Sequence, residues 1–245
     1  MNKTVLITGA AKGIGAAIAK EFARSGYQVC INYNTSKESA NALKKELDEI
    51  GYSSMIYQAD ISDRNQVDKM VDSVLDTFGN IDVLVNNAGI CEYKLFTDIT
   101  IEDIQNMLNV SVIGTFHVTQ SVLKKCMIHK KAGKIINISS IWGMVGSSME
   151  VNYSTAKAAV IGMSKALAKE LGPSGITVNV VAPGAIDTDM NAILTQEELK
   201  EFCENVPLER IGHVDDISGV VKFLASKEAE YITGQVISPN GGIVV

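Results

Sequence analysis

Short apolar runs that read as buried strands alternate with helical patterns along nearly the whole chain. The stretches between these runs are long enough to hold a turn and a helix. The predicted strands cover residues 3–8, 29–33, 55–58, 83–86, 134–139, 177–181 and 235–238. This alternation predicts an α/β fold with a doubly wound parallel sheet and helices on both faces. Because no repeat or linker interrupts the 245 residues, we expect a single domain over residues 1–245.

The first predicted strand leads directly into a glycine-rich turn. Gly9, Gly13 and Gly15 stand in the pattern Gly-Ala-Ala-Lys-Gly-Ile-Gly, and a helical pattern covers residues 16–24. Glycine lets the backbone turn tightly and approach a phosphate, and the N–H groups at a helix start bind anions. The turn therefore predicts a pyrophosphate site, although a simple tight turn would show the same residues.

Tyr153 and Lys157 stand four residues apart, and Ser140 lies thirteen residues upstream of Tyr153. On a helix this spacing places Tyr153 and Lys157 on one face, where the ammonium can stabilise the phenolate. Lowering a phenol pKa from about 10 to near 7 takes roughly 4 kcal/mol, much of which one close cation could supply. We interpret the trio as a proton-donating site in which the Ser140 hydroxyl contacts the same substrate oxygen. A pair that merely lines a solvated helix face is the alternative.

Charge and cysteine placement argue against several classes of protein. The formal net charge of −6 disfavours nucleic acid as a partner, and no basic run suggests a membrane surface. The four cysteines form no Cys-x-x-Cys pair and the three histidines have no ligand spacing, so we expect no metal. Because the cysteines are scattered and we find no signal peptide or membrane span, we expect a cytoplasmic protein.

The stretch between residues 182 and 210 interrupts the alternation of strands and helices. It follows the sixth predicted strand and carries Pro183, Gly184 and Pro207. Sites in this class of fold lie beyond the carboxyl ends of the strands, so we expect a substrate lid around residues 184–210.

Together these motifs resemble the short-chain dehydrogenase/reductase family over essentially the whole chain. The matching positions are Thr8, Gly9, Gly13, Gly15, Asn86, Asn87, Ala88, Gly89, Asn109, Ser140, Tyr153, Lys157, Pro183 and Gly184. The resemblance implies a Rossmann-like fold, a nicotinamide cofactor, assembly as a homodimer or homotetramer, and a catalytic tetrad of Asn109, Ser140, Tyr153 and Lys157. In that scheme a hydride reaches a carbonyl carbon while Tyr153 protonates the oxygen and Ser140 positions it. Lys157 also holds the nicotinamide ribose, and Asn109 helps to hold a water relay that returns the proton.

The end of the second predicted strand indicates which dinucleotide would bind. Folds that prefer NAD usually place an acidic residue there, which would repel the 2′-phosphate of NADP. Residues 32–37 contain no acid and Lys12 lies inside the glycine turn, so NADPH is predicted. The predicted cofactor-binding residues, several of them implied by the resemblance alone, are Gly9, Lys12, Gly13, Ile14, Gly15, Asn32, Tyr33, Lys37, Asp60, Ile61, Asn87, Ala88, Gly89, Tyr153, Lys157, Pro183, Gly184, Ile186 and Thr188. The alternative for Asp60 is a purely structural role, as an acidic residue that stabilises the start of a helix.

Within the family, the chain is most similar to bacterial 3-oxoacyl-[acyl-carrier-protein] reductases. The similarity rests on Asn32 and Tyr33, on residues 176–179, and on Tyr-Ile-Thr-Gly-Gln and Asn-Gly-Gly near the C-terminus. It implies reduction of a carrier-protein-bound ketone in fatty-acid synthesis. Those reductases dock an acidic carrier protein through two basic residues at the site entrance. Lys131 matches the first of these and Ser174 replaces the second, which would weaken docking.

Residues 139–143 and 149–153 instead resemble reductases that complete a 5-aminopentanone modification on elongation factor P. The ketone in that reaction carries a primary amine. A carboxylate at Glu150 could pair with the ammonium while Trp142 packs on the chain or makes a cation–π contact. A solvated Glu150 and a Trp142 that only fills space are the alternative. The predicted substrate contacts are Ser140, Trp142 and Glu150.

A function of another class is a regulator that binds a dinucleotide without catalysis. Such a protein would be expected to lack Tyr153 or Lys157, and both are present, so an enzyme is favoured. Steroids, sugar alcohols and small diketones stay open as substrates, because one fold serves many of them.

Overall fold

The computed structural model describes residues 3–188 and 202–245, and its strands form one seven-stranded parallel sheet. The strands are β1 Thr4–Ile7, β2 Gln28–Tyr33, β3 Ser54–Gln58, β4 Val83–Asn86, β5 Gly133–Ile138, β6 Ile176–Val181 and β7 Val236–Ile237. Their order in the sheet is β3-β2-β1-β4-β5-β6-β7. The predicted parallel sheet is confirmed, and each strand begins and ends within one residue of its expected position.

Helices fill the connections between the strands. They are α1 Gly13–Arg24, α2 Lys37–Glu49, α3 Arg64–Phe78, α4 Ile101–Leu108, α5 Gly114–Val122, α6 Ile128–Lys130, α7 Trp142–Val145, α8 Val151–Leu171 and α9 Val214–Leu224. Two π-helical turns, Asn109–Ile113 and Leu123–Met127, join α4 to α5 and α5 to α6. Short 3₁₀ turns lie at Phe96–Asp98, Gly172–Ser174 and Lys227–Ala229.

Successive side chains of the inner strands pack into two separate cores, because side chains alternate between the faces of a sheet. Val5 of β1 belongs to the same core as Phe22 of α1 and Val221 of α9. Leu6, the next residue, belongs to the core that contains Val118 of α5. Helices therefore cover both faces of the sheet, which confirms the doubly wound, Rossmann-like arrangement.

The order of the sheet reverses at β1, which lies between β2 and β4. In open α/β sheets the ligand crevice lies beyond the carboxyl ends of the strands at such a point. The glycine turn leaves β1 at this point. Helix α1 begins at Gly13, three residues before the predicted start at residue 16, because Gly13 and Gly15 belong to its first turn. Residues 189–201 of the predicted lid lie outside the described residues.

Candidate active site

A cavity of about 750 Å³ opens at the carboxyl ends of the central strands. Its wall combines the glycine turn, the end of β2, the segments after β3, β4, β5 and β6, and the first turns of α8. With one exception, Lys37, every predicted cofactor-binding residue contributes to this wall. The three predicted substrate contacts Ser140, Trp142 and Glu150 also line it, whereas Asn109 does not.

The glycine turn is shaped by close backbone approaches. Gly9 has a φ of +60°, and a Cβ there would lie 2.8 Å from the Cα of Ala88. A Cβ on Gly15 would lie 2.5 Å from the carbonyl oxygen of Gly9. Any larger residue at either position would fill the cradle or displace the backbone, so the turn has the open floor that a phosphate requires. Lys12 lies in this turn, immediately before α1.

The segment after β4 is attached to this turn by four hydrogen bonds. Asn87 Nδ2 donates to the carbonyl oxygens of Thr8 and Gly9, both at 3.0 Å. Thr8 Oγ1 accepts the backbone N–H groups of Asn87 at 3.0 Å and Ala88 at 3.1 Å. The Asn87-Ala88-Gly89 motif therefore fixes the floor of the cavity to the end of β1.

Asn32 lines the cavity but its amide is engaged within the protein. Its Oδ1 accepts the Gly9 N–H at 3.2 Å and its Nδ2 donates to the Ala59 carbonyl at 3.1 Å. It therefore joins β1, β2 and β3 at the cavity edge, a structural role that sequence reasoning missed. Lys37 is exposed in the first turn of α2 and lies outside the wall, so its predicted place in the cavity is not found.

Segments that follow β3 and β6 also form part of the cavity wall. Asp60 Oδ1 accepts the Ser62 N–H at 2.9 Å and its hydroxyl at 2.7 Å, so this carboxylate caps a turn while it lines the wall. A Cβ on Gly13 would lie 3.4 Å from Thr188 Cγ2. The segment that contains Ile186 and Thr188 therefore reaches back to the glycine turn.

Tyr153, Ser140 and Lys157 lie together in the wall of the cavity, as predicted from their spacing. Their exposed fractions are only 9%, 7% and 5%, respectively. Lys157 Nζ lies 5.5 Å from the centre of the Tyr153 ring and donates to the Ile138 carbonyl at 3.0 Å. Ser139 Oγ donates to the Lys157 carbonyl at 2.9 Å and so anchors α8 against the end of β5. The catalytic roles of the three residues stay predictions, but their side chains share one buried site.

Burial is the main cause of the shifted pKa values of Tyr153 and Lys157. It raises the pKa of the Tyr153 phenol, the nearby Cys91 thiol and Glu150 carboxylate raise it further, and the hydrogen bond with Ser140 lowers it. Burial also lowers the pKa of Lys157 from 10.5 to about 8. The expected lowering of the phenol pKa by Lys157 is not observed, because loss of water favours the neutral form of each group. Tyr153 is thus a protonated phenol, the form that donates a proton.

Asn109 is separate from the other predicted tetrad residues. It begins the π-helical turn Asn109–Ile113, and its side chain is exposed. Ser111, in the same turn, is buried, four residues from the buried Met107. Residues four apart share a helix face, whereas Asn109 lies two residues from each and faces away. The structure therefore does not bring Asn109 together with Tyr153, Ser140 and Lys157, and its relay role stays a prediction. The spacing of Ser111 from Met107 was the sequence signal that could have identified the inward residue.

Glu150 is a buried carboxylate in the wall of the cavity, with 4% of its surface exposed. Cys91 Sγ donates to Glu150 Oε1 at 3.1 Å, and burial with this bond raises the pKa of the Cys91 thiol to about 12. Met149, the preceding residue, has a left-handed φ of +61°, a conformation that costs free energy for a non-glycine residue. The solvated alternative for Glu150 is therefore wrong. Trp142 lines the same cavity and is half-buried.

The two positions matched to carrier-protein docking lie at the opposite end of the sheet. Lys131 precedes β5 and Ser174 precedes β6, whereas the cavity lies where these strands end. A Cβ on Gly175 would lie 2.7 Å from the Lys131 carbonyl oxygen, so the two positions are adjacent. A strand of six residues spans roughly 20 Å. Their expected location at the entrance of this chain's own cavity is therefore wrong.

Residues 3–188 and 202–245 contain neither a metal-binding cluster nor a membrane-spanning helix. No group of three or more His, Cys, Asp or Glu side chains there is arranged to hold a metal ion. Among the same residues, no helix has both the length and the apolar character needed to cross a membrane.

Comparison with known proteins assigns the chain to a family. A family model described as "Enoyl-(Acyl carrier protein) reductase" matches residues 9–244. The 3-oxoacyl-[acyl-carrier-protein] reductase of Staphylococcus epidermidis is 42% identical over 243 residues, covering 99% of each chain. The Aquifex aeolicus protein of the same name is 43% identical over 243 residues, covering 99% of this chain and 97% of the relative. The Synechocystis protein is 42% identical over 244 residues, with the same coverage. With its glycine cradle, its buried Tyr153 and Lys157, and these full-length matches, the chain belongs to the short-chain dehydrogenase/reductase family.

Proposed function

We propose that the chain is an NADPH-dependent carbonyl reductase that acts on 3-oxoacyl-[acyl-carrier-protein]. The observation that carries this proposal is the buried group of Tyr153, Ser140 and Lys157 in a cavity that also contains a glycine cradle. The whole-chain similarity to three reductases of that name supports this substrate class. In this proposal residues 1–245 act as one dinucleotide-binding domain, with a substrate lid around residues 184–210.

The chemistry of the cavity fits a dinucleotide. Gly9 and Gly15 leave the floor that a pyrophosphate needs, and the start of α1 presents backbone N–H groups there. Asp60 and Ile61 would border the adenine, and Ile186 and Thr188 the carboxamide. When bound, a reduced nicotinamide supplies a hydride to the carbonyl carbon of the ketone.

The absence of an acidic residue at the end of β2 supports NADPH over NADH. The cavity wall there is formed by Asn34, Thr35 and Ser36, which leave a 2′-phosphate unopposed by a carboxylate. Lys12 adds a positive charge in the neighbouring turn. We expect kcat/KM for NADPH to exceed that for NADH at least tenfold, because a charge-assisted hydrogen bond is worth roughly 1.5–3 kcal/mol.

The proton comes from Tyr153. Its phenol is protonated at neutral pH, and its Oη–H bond breaks as the carbonyl oxygen takes the proton. Ser140 Oγ donates a hydrogen bond to the same oxygen and stabilises the charge that develops on it. Lys157, a buried cation 5.5 Å from the phenol ring, stabilises the phenolate that remains.

A second candidate is a reductase for a ketone that carries a primary amine, such as the 5-aminopentanone group on elongation factor P. Buried carboxylates are normally paired, and the hydrogen bond to Glu150 comes from the weakly donating Cys91 thiol. A substrate ammonium would pair with Glu150 inside the cavity, beside Trp142. Glu150 therefore favours this candidate over a neutral acyl chain at that position.

Oxidation of NADPH by the purified protein decides between the two substrates. Acetoacetyl thioester on the carrier protein and on coenzyme A is compared with a simple amino-ketone, with NADH in parallel. Efficient thioester turnover supports the 3-oxoacyl reductase, and feeble thioester turnover with clear amino-ketone reduction supports the second candidate. Tight NADPH binding without turnover of any ketone would favour a regulator.

Glu150→Gln tests the second candidate directly. Removing the charge is expected to lower kcat/KM for the amino-ketone about tenfold or more while sparing the thioester. Glu92→Gln is the matched control, because Glu92 accepts a hydrogen bond from Asn152 at 3.3 Å and is not part of the cavity wall. An unchanged preference in Glu150→Gln would exclude an ammonium site at Glu150.

A further inference from the structure

A second, smaller cavity, which we call the side pocket, adjoins the active-site cavity beyond the end of β6. Its volume is about 200 Å³. Ala185, Ile186 and Phe202 line both cavities, so these residues form a wall between them. Cavities that hold a whole small ligand measure about 300–1,000 Å³. The side pocket is therefore suited to one end of a ligand whose remainder lies in the active-site cavity.

Most of the side pocket is walled by apolar side chains, which are those of Ile186, Phe202, Val206, Leu208 and Pro239. Two glycines leave room for these side chains. A Cβ on Gly212 would lie 2.4 Å from Ile186 Cδ1, and a Cβ on Gly241 would lie 2.5 Å from Val206 Cγ1. Any larger residue at either position would displace Ile186 or Val206, so the shape of the pocket depends on both glycines.

The polar side chains that line the side pocket, among the described residues, are already bonded within the protein. Arg210 donates to both carboxylate oxygens of Asp216, at 2.7 and 3.0 Å, so the two charges cancel. Asn240 Nδ2 donates two hydrogen bonds of 2.8 Å, and its Oδ1 accepts the Gly242 N–H at 2.7 Å. A ligand in the pocket therefore meets hydrocarbon and engaged polar groups, which favours an alkyl group over a sugar, phosphate or carboxylate.

We propose that the side pocket binds the distal alkyl end of a 3-oxoacyl substrate whose ketone lies at Tyr153 and Ser140. The proposal rests on the ketone reduction proposed above and adds a preference for chains longer than acetoacetyl. An acetoacetyl group ends one methyl group beyond its ketone, whereas a 3-oxodecanoyl chain continues past the half-buried Phe202 into the pocket. Each methylene group removed from water raises affinity about fourfold.

Binding of unreduced thioesters tests the pocket without any turnover. Butanoyl- and decanoyl-coenzyme A differ only in chain length, and neither has the 3-oxo group that the proposed reaction needs. Isothermal titration calorimetry measures the Kd of each for the wild type, Leu208→Trp and Leu95→Trp. Thermal unfolding identifies any loss of fold, and NMR of the wild type labelled with ¹³C-methyl leucine shows which leucines the chain contacts.

Leu208→Trp places a larger indole at the wall of the side pocket. Leu208 is 64% exposed, so we expect the variant to fold. Leu95→Trp is the matched control, because Leu95 is 55% exposed and lines neither cavity.

We expect the wild type to bind decanoyl-coenzyme A at least about tenfold more tightly than butanoyl-coenzyme A, and the decanoyl chain to shift the methyl signals of Leu208 but not those of Leu95. Leu208→Trp should lose this preference, and Leu95→Trp should keep it. The ratio of kcat/KM for 3-oxodecanoyl thioester to that for acetoacetyl thioester should fall about tenfold in Leu208→Trp.

Equal affinity of the wild type for the two coenzyme A esters, or a preference that survives in Leu208→Trp, would overturn the proposal. The side pocket and the reductase activity can fail separately. A chain preference that Leu208→Trp removes, in a protein that reduces no ketone, would support the pocket and refute the proposed reaction. Reduction of acetoacetyl thioester without any chain preference would support the reaction and refute the pocket.

Discussion

Gly143 of α7 lies close against α8, the helix that carries Tyr153 and Lys157. A Cβ at this position would lie 2.7 Å from the Lys157 carbonyl carbon, 2.8 Å from its Cβ and 2.9 Å from Ser139 Oγ. Non-bonded carbon atoms prefer separations of about 3.5–4.0 Å, so Gly143→Ala must move α7 and α8 apart by roughly 1 Å. Such overpacking costs roughly 1–3 kcal/mol of stability. A displacement of about 1 Å at reacting groups costs on the order of 100-fold in rate.

We therefore expect Gly143→Ala to remain folded at 25 °C but to lose about 100-fold in kcat/KM for ketone reduction. Thermal unfolding and steady-state NADPH oxidation measure the two effects. Gly162→Ala is the matched control, because Gly162 lies within α8 and a Cβ there meets nothing within 4 Å. Alanine in a helix interior is favoured by about 0.5–1 kcal/mol, so this control should be slightly more stable and fully active. Wild-type activity in Gly143→Ala would refute the claim that this contact positions α8.

Two further substitutions test the energetics of the cavity. Lys157→Met should abolish activity and raise Tm at pH 7 by several degrees, because the lowered pKa of about 8 implies that the buried charge costs roughly 3 kcal/mol. The pKa of Lys157 is lower in the folded protein than in the unfolded chain, so the folded protein loses this proton first as the pH rises. The free energy of unfolding of the wild type should therefore rise relative to that of Lys157→Met between about pH 8 and pH 10.5. Unfolding curves across that pH range measure the difference. Asn32→Asp should lower the free energy of unfolding by roughly 2–4 kcal/mol, because a carboxylate would face the Ala59 carbonyl where an amide now donates. An unchanged urea midpoint for Asn32→Asp would contradict that structural role.

The sheet and the glycine turn were predictable because they depend on local patterns. Apolar runs of the right length, separated by helical stretches, located all seven strands. The pairing of Tyr153 with Lys157 followed from a helix period that α8 preserves without interruption. These features need no knowledge of distant parts of the chain.

The errors concerned residues whose position depends on a local irregularity or on the whole fold. Motif spacing selected Asn109, but only the face shared with Met107 identifies Ser111 as the inward residue of the π-helical turn. The sequence did not place Glu150 in the interior, because a charged residue before a helix is usually exposed, whereas here it is buried and follows a residue with a left-handed φ. Lys131 precedes a strand whose other end forms the cavity, and its distance from the site follows only from strand direction.

The central claim is that Tyr153 donates the proton for ketone reduction. The most direct test is the rate of NADPH oxidation with acetoacetyl thioester and with an amino-ketone, for the wild type and for Tyr153→Phe. The account predicts that the wild type reduces one of these ketones, and that Tyr153→Phe binds NADPH normally but reduces that ketone at least about 1,000-fold more slowly. Reduction by Tyr153→Phe at the wild-type rate would show that another group supplies the proton.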